Sequence, residues 1–303
     1  MKRLPPKPTA SELEILHILW NRGPSTVREV LESLNEKKKL GFIGAGKLAG
    51  SVIRGLMRAK FCPPSEIIAS EPNEQTRATL GKETKISLTA ENAEVAEKSD
   101  SIFVGVKPGM VLGVLRDLAP RVENKVVISL AGGVRISSME KVCNARIMRA
   151  LTNTPSAICR AATGISRGSR TTNEDVDLAK KVFGAIGVVV EIKEEQIDIV
   201  TALSGSGPAF IYTLIEAIAV GGTKLGLAND VAMQLAIQTA RGAAEIMLET
   251  KMSPEELRRM VVTPGGTTAA GLAVMEKLGT SESLIAAVEA ATKRSQEMAR
   301  ENS

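Results

Sequence analysis

The stretch GFIGAGKLAG, residues 41–50, constrains the fold of this chain more than any other. The apolar residues at its start read as a buried strand, and GKLAGSVIRGLMRAK, residues 46–60, reads as an amphipathic helix. Gly44-x-Gly46-x-x-Ala49 joins the two. Gly44 permits a tight turn, Gly46 lets a pyrophosphate approach the backbone, and Ala49 permits close packing of helix on sheet. The amides of the first helical turn then face the phosphates. Spacing alone is shared with plain strand–helix turns, so the surrounding pattern decides its weight.

That pattern is βα alternation. EIIAS (66–70), KISLT (85–89), SIFVGV (101–106), KVVISLAGG (125–133), ARIMRAL (145–151), ATGISRG (162–168) and GVVVEI (187–192) read as strands. AENAEVAEKS (90–99) and NEDVDLAKKVFGAI (173–186) read as helices between them. The expected class is α/β, a mostly parallel, doubly wound Rossmann-type sheet followed by an all-α domain. After Glu194 the strand signal stops, and five helical stretches follow, with Asn229, Ser253 and Ser281 as expected caps. The expected units are an extra helical segment and linker at 1–38, a nucleotide domain at 39–194 and a helical domain at 195–303. AFIYTLIEAIAV (209–220) and VAMQLAIQTARGAA (231–244) are apolar on most sides. A helix of that kind must be covered, so a homodimer through this region is expected.

Composition excludes several chemistries. The one histidine is His17, ahead of the glycine turn, so the body has no histidine for a base, a triad or a metal. Cys62, Cys143 and Cys159 form no CxxC and are odd in number, which fits a reduced, cytoplasmic protein without a zinc site. No metal is expected. Aromatics are 2% of the chain, which argues for an Ala, Val, Ile, Leu and Met core and against base-stacking platforms. Residues 1–39 hold eight Lys/Arg and five Asp/Glu, leaving 31 and 29 for the rest. The near-neutral body gives no reason to expect a nucleic-acid partner. No run of about 18 uninterrupted apolar residues suggests a membrane span, and no signal peptide is evident.

Further polar positions fall at expected strand ends: Ser70 and Glu71, Lys107-Pro108, Ala131-Gly132, and RALTNTP at 149–155. Loops there line the ligand crevice of an open α/β sheet. Glu71 suits an adenine ribose and NAD, whereas Ser70, Asn73 and Arg77 suit a 2′-phosphate, and a plain solvent-facing Glu71 is equally consistent. TPGGTTAAGL (263–272) runs into a helix near Thr267, which makes either an anion site or a simple cap. LSGSGPAF (203–210) opens a long apolar helix with small residues that also suit tight helix packing.

In this order, GFIGAGKLAG, VKP, SLAGGV, TNTP, LSGSGPAF and TPGGTTAAGL resemble pyrroline-5-carboxylate reductase over about residues 40–300. The last two stretches carry most of the resemblance. It implies reduction of 1-pyrroline-5-carboxylate to L-proline, the last step of proline synthesis, with NADPH or in some members NADH. It implies a Rossmann domain, a helical dimerisation domain, and dimers that often assemble into decamers. Gly44, Ala45, Gly46, Lys47 and Leu48 would hold the pyrophosphate, with Ser70 by the adenine ribose. Val106, Lys107 and Pro108 would flank the nucleotide, with Ala131 and Gly132 nearer the nicotinamide ribose. The amides of Gly265, Gly266 and Thr267, from the partner subunit, would bind the substrate carboxylate, and the Thr268 hydroxyl would take the catalytic contact to the ring nitrogen. Many relatives have Met and Pro where this chain has Leu151 and Thr152. Little effect is expected because Asn153, Thr154 and Pro155 are kept. A body without histidine suits this chemistry, since a cyclic iminium needs orientation and a dry pocket more than a strong acid. The alternatives are a related imine reductase and a regulator that senses NADPH.

PTASELEILHILWNRGPSTVREVLESLNE, residues 8–36, resembles the first two helices of penicillinase-repressor-type winged-helix regulators. The recognition helix and wing that follow in those proteins are absent here. Leu16, Leu19 and Trp20 are expected to dock on the body or on a partner. The other reading is a fusion or start-site remnant.

Overall fold

Eight strands form one sheet in the order β3-β2-β1-β4-β5-β6-β7-β8. The computed structural model describes residues 39–302 throughout and, before them, Glu12, Ile15, Leu16, Leu19, Trp20 and residues 23–27. The strands are β1 (Leu40–Ile43), β2 (Ile67–Ser70), β3 (Ser87–Thr89), β4 (Ser101–Val104), β5 (Val126–Ser129), β6 (Arg146–Leu151), β7 (Ala161–Arg167) and β8 (Gly187–Glu191). Neighbours pair in parallel except β6 and β7, which run antiparallel. β1, β2, β4 and β5 are buried at every residue. Their continuous apolar runs therefore fit a sheet covered on both faces.

The helices of this half are α1 (Lys47–Arg58), α2 (Glu74–Thr84), α3 (Asn92–Lys98), α4 (Val111–Val122), α5 (Ile136–Glu140) and α6 (Asn173–Gly184). One face of the sheet packs Phe42, Phe103 and Met148 against Val52, Ile53 and Leu56 of α1 and Phe183 of α6. The other packs Ile43, Ile102 and Val127 against Val95 of α3, Leu115 of α4 and Met139 of α5. The expected aliphatic core has an aromatic centre. Phe42 stacks on Phe103 at 4.7 Å between ring centroids, and Phe183 meets Phe103 edge-on at 6.0 Å. Three of the chain's five phenylalanines thus sit where few aromatics suffice. α6 opens with a reciprocal cap between Thr172 and Asp175.

The second half is helical: α7 (Ile197–Val200), a π-helical turn (Thr201–Ser206), α8 (Gly207–Lys224), α9 (Asn229–Thr250), α10 (Pro254–Val261), α11 (Thr267–Lys277) and α12 (Thr280–Glu301). Ser253 caps α10 as expected, its hydroxyl accepting from Glu256 N–H. The other two expected caps shift. Ala228 caps α9 without a side-chain bond, and Gly279, at φ 68°, starts α12. α8 packs on α9 through Ile215, Ala219, Ala232, Met233 and Ala236. Most of the remaining apolar surface of these helices is exposed, including Ile211, Tyr212, Leu235 and Leu248. The continuous helix Glu194–Lys224 is long and apolar enough, by length and composition, to cross a membrane, and only 6% of its apolar window is buried. Reading for uninterrupted apolar residues missed it.

Among the early residues, Trp20 is 88% exposed and Leu16 46%, so neither is docked on the body. His17 and most of the repressor-like stretch lie outside the described residues.

Candidate active site

The strand order reverses between β1 and β4, and the connections leaving the two strands diverge there. This is where an open α/β sheet leaves a crevice for a ligand. Gly44 stands at the mouth with φ +82°, and an added Cβ would lie 2.8 Å from Val106 Cγ1. Both its conformation and its neighbours demand glycine. One turn on, Ala49 is fully buried, and a Cβ on Gly105 would lie 2.6 Å from the Ala49 Cβ. Small residues here let α1 press against the strand ends.

Gly46 is the N-cap of α1 and supplies no side-chain cap. A Cβ added to it would meet nothing within 4 Å. The first amides of α1 therefore face open space beside a backbone that a diphosphate can approach. Ala45 is buried, Leu48 half-buried and Lys47 exposed. Val106 is half-buried, Lys107 exposed, and Pro108 opens a short 3-10 turn to Met110. This cradle fits a dinucleotide phosphate.

Ser70 ends β2, the position expected beside the adenine ribose. It is fully buried, and its hydroxyl donates to Asn92 Oδ1 at 2.7 Å. Its carbonyl accepts from Gly44 N–H and Ala45 N–H at 3.0 and 2.9 Å. Ser70 thus shapes the glycine turn from beneath, with Asn92 as a partner that sequence reading did not find. Above it, Glu71 Oε1 accepts from Asn73 N–H at 3.1 Å. Arg77 Nη1 donates to the carbonyls of Glu71 and Pro72 at 2.6 and 2.8 Å. Arg77, on the first turn of α2, therefore ties down the loop that carries Glu71 and the cap Asn73.

On the other side of the crevice, Ala131 is buried and Gly132 half-buried. A Cβ on Gly132 would stand 3.6 Å from Thr201 Cγ2. The wall beyond β5 thus faces the π-helical turn. The Asn153 amide fastens that turn, donating to the Ser204 carbonyl at 3.0 Å and accepting from Ala162 N–H at 3.2 Å. The Thr163 hydroxyl donates to Thr152 Oγ1 at 2.8 Å, so Thr152 is held by its neighbour strand. π-helical turns in helices are frequent at functional sites.

Gly265 (φ +73°) turns the chain into α11, whose N-cap is Gly266. Gly266 N–H closes this turn on the Thr263 carbonyl at 3.0 Å, which differs from the free amide expected there. Gly265 and Thr267 are exposed, and Thr268 is half-buried. Within the protomer α11 packs chiefly on α12. No group of three or more His, Cys, Asp or Glu suited to a metal occurs among the described residues.

A charged cluster around the buried Arg149 and Asp198 also went unseen in the sequence. Arg149, on β6, is fully buried, with Nη1 3.4 Å from Glu194 Oε1. Asp198, 1% exposed, lies 3.3 Å from Arg135 Nη2 and accepts from the Ser295 hydroxyl at 2.7 Å. Burial holds the Arg149 guanidinium below the ordinary arginine range, opposed by Glu194 and Asp198.

Comparison with known proteins is consistent along the chain. Residues 194–298 match the family described as pyrroline-5-carboxylate reductase dimerisation, and residues 39–133 match NADP oxidoreductase coenzyme F420-dependent. The pyrroline-5-carboxylate reductase of Pisum sativum is 38% identical over 272 residues, covering 89% of this chain and 99% of the relative. That of Synechocystis is 39% identical over 261 residues, covering 86% and 98%. The Plasmodium falciparum pyrroline carboxylate reductase, solved with NADP bound, superposes with a TM-score of 0.80 at 30% identity, covering 87% of this chain and 99% of its own. With its Rossmann-type sheet, its glycine turn and its apolar helical half, the chain belongs to the pyrroline-5-carboxylate reductase family.

Proposed function

We propose that this chain reduces the C=N bond of 1-pyrroline-5-carboxylate to give L-proline, with NADPH as the preferred donor and NADH as an alternative. The observation that carries this reading is the uncapped start of α1 over open space at Gly46, in a chain that also carries an exposed glycine turn at Gly265–Thr268. In this reading residues 39–194 bind the coenzyme, and residues 195–303 dimerise and bind substrate.

When bound, the reduced nicotinamide supplies the hydride that adds to the imine carbon. The amides of Ala45 through Leu48 hold the pyrophosphate, and Val106, Lys107 and Pro108 border the nucleotide. Ser70 holds the turn and lies by the adenine ribose. Ala131 and Gly132 set the nicotinamide side against Thr201. Gly265 and the first amides of α11 take the substrate carboxylate, with Gly266 keeping the turn closed. The Thr268 hydroxyl accepts from the protonated ring nitrogen, orients it, and remains beside the amine of the product. Within the protomer α11 packs chiefly on α12, and in this reading a second copy brings the loop to the coenzyme cleft. Two shared sites per homodimer follow, with decamers as the larger assembly. A neutral, histidine-free body, free thiols at Cys62, Cys143 and Cys159 and a small-molecule substrate suit the cytoplasm.

The test follows nicotinamide absorbance with purified protein and 1-pyrroline-5-carboxylate, with NADPH and NADH side by side. Substrate-dependent oxidation with proline as product is expected, and its absence from a folded, coenzyme-binding protein refutes the reading. Thr268→Ala is expected to lower kcat about tenfold or more while the Kd for NADPH stays within about twofold. Unchanged turnover in that variant removes Thr268 from the site.

A further inference from the structure

Three segments meet over β6 on the nicotinamide side of the crevice. The first runs from Ala131 to Arg135, the second from Glu194 to Ser206, and the third is the end of α12. Gly132 faces Thr201, as described above. Three residues further along the first segment, Arg135 pairs with Asp198, which lies three residues before Thr201. Ile136 N–H donates to Glu194 Oε1 at 2.6 Å. From α12, Ser295 donates to Asp198, and Asn302 Nδ2 donates to the Gly133 carbonyl at 3.2 Å. A Cβ on Gly133 would lie 2.7 Å from Met298 Cβ, so this contact is tight. Arg149 lies beneath all three, with Nε and Nη2 unpartnered, as is Asp198 Oδ2 by hydrogen-bond geometry.

Two cations and two anions thus balance in a seam whose centre, Arg149 and Asp198, is buried and whose outer members, Arg135 and Glu194, stay partly open to water. Such a cluster is poor value as pure stabilisation, because taking the charges out of water costs about what their pairing returns. Its geometry suggests a different use. Charges at fixed positions define how two walls meet, whereas an apolar seam tolerates sliding.

We propose that Arg149 is a positioning residue: with Glu194, Asp198, Arg135 and Ser295 it forms a latch, buried at Arg149 and Asp198, that sets the Ala131–Gly133 wall against the Thr201–Ser206 turn for hydride transfer. The inference rests on the reductase reading. It separates Arg149 from the phosphate cradle, which is built on β1 and α1.

The test compares full-length wild type with Arg149→Met, Arg149→Lys, Asp198→Asn and Ser295→Ala. It measures kcat, the isotope effect with deuterated NADPH, calorimetric affinity for adenosine 2′,5′-bisphosphate, and amide hydrogen exchange without ligand. Arg149→Met and Asp198→Asn are expected to lower kcat about thirtyfold, a change of about 2 kcal/mol in the barrier. Arg149→Lys, which keeps the charge but not the fork, falls between them and wild type. The isotope effect rises, adenosine bisphosphate affinity stays within twofold, and exchange quickens at residues 131–136 and 194–204 but not at 44–50. A general loss of folded enzyme lowers kcat without moving the isotope effect. Where Arg149→Met does not fold, Asp198→Asn and Ser295→Ala carry the same comparison. Turnover and isotope effect within twofold of wild type in the folded variants overturn the proposal. So does affinity for adenosine bisphosphate falling in step with kcat. A wild type that oxidises no NADPH with substrate refutes the reductase reading instead, and the exchange pattern then judges the latch by itself.

Discussion

The two halves of the chain use similar aliphatic residues to opposite ends. In the sheet, Ile43, Ile102, Val104 and Ile128 are wholly buried within one protomer. In the helices, Leu225 is 90% exposed and Leu248 73%, and the buried cluster contains only Ala219, Ala232 and Ala236. The difference lies in what each element can satisfy alone. A sheet with helices on both faces closes its own core. Two long helices lying side by side leave most of their apolar surface facing outwards. The nucleotide half is therefore a self-contained body, and the helical half is one side of an interface. The matched family description for residues 194–298, dimerisation, states the same division.

The largest effect expected from breaking this division is in the closed half. Phe103→Ala removes the ring that touches both Phe42 and Phe183. A fully buried Phe→Ala costs about 3–5 kcal/mol. Thermal unfolding followed by circular dichroism should show a markedly lower Tm for the nucleotide half. A Tm within a degree or two of wild type would mean that the aromatic centre is not what holds α1 and α6 on that face of the sheet.

An intermediate effect is expected in the open half, and it is of another kind. Ile211→Asp on α8 or Leu235→Asp on α9 places a charge on surface that is 50% or 56% exposed in the protomer. Folding should change little, because neither side chain belongs to a closed core. Sedimentation should show protomers near 32.1 kDa in place of dimers. Affinity for adenosine 2′,5′-bisphosphate should persist while turnover is lost, since the Gly265–Thr268 loop then has no partner cleft to enter. A monomeric variant with full turnover would break the shared-site reading. A variant that stays dimeric would move the interface to another face of these helices.

The same contrast explains what could be read in advance. Buried parallel strands are continuous apolar runs ended by glycine or polar residues, so β1, β4 and β5 stood out as sequence. The glycine turn was legible because a positive φ and a close neighbour leave one residue type. Helix starts were less so. Asn229 and Ser281 are good caps by composition, yet Gly226 and Gly279 redirect the chain through positive φ and set the starts of α9 and α12 elsewhere. Arg149 was hidden for a different reason. An arginine in a strand resembles an outward-facing residue until its partner, 45 positions later, is known. Its apolar neighbours Met148 and Ala150 were the available signal, since both are fully buried on a central strand. Ser70 was placed on the correct strand end, but only packing shows its hydroxyl turned inward to Asn92.

The smallest effect sharpens the comparison without disturbing either half. All three cysteines lie in the nucleotide half, at 62, 143 and 159, so thiol chemistry reports on that half alone. Burial, with a smaller push from Glu66, raises the Cys62 thiol from 9.0 to about 11. The folded protein therefore holds the Cys62 proton more tightly than the unfolded chain does. Its contribution to stability is present below pH 9 and is lost as pH rises from 9 towards 11. At pH 8 far less of Cys62 than of an ordinary thiol is thiolate, so alkylation should be slower, by about tenfold or more. Mass spectrometry of alkylated peptides measures this rate site by site. It should climb up to about pH 11, and it should be unchanged when Leu235→Asp separates the protomers, because dissociation leaves the sheet core intact. A Cys62 rate that jumps on dissociation would show that the nucleotide half leans on its partner, and the two halves would no longer be separable bodies.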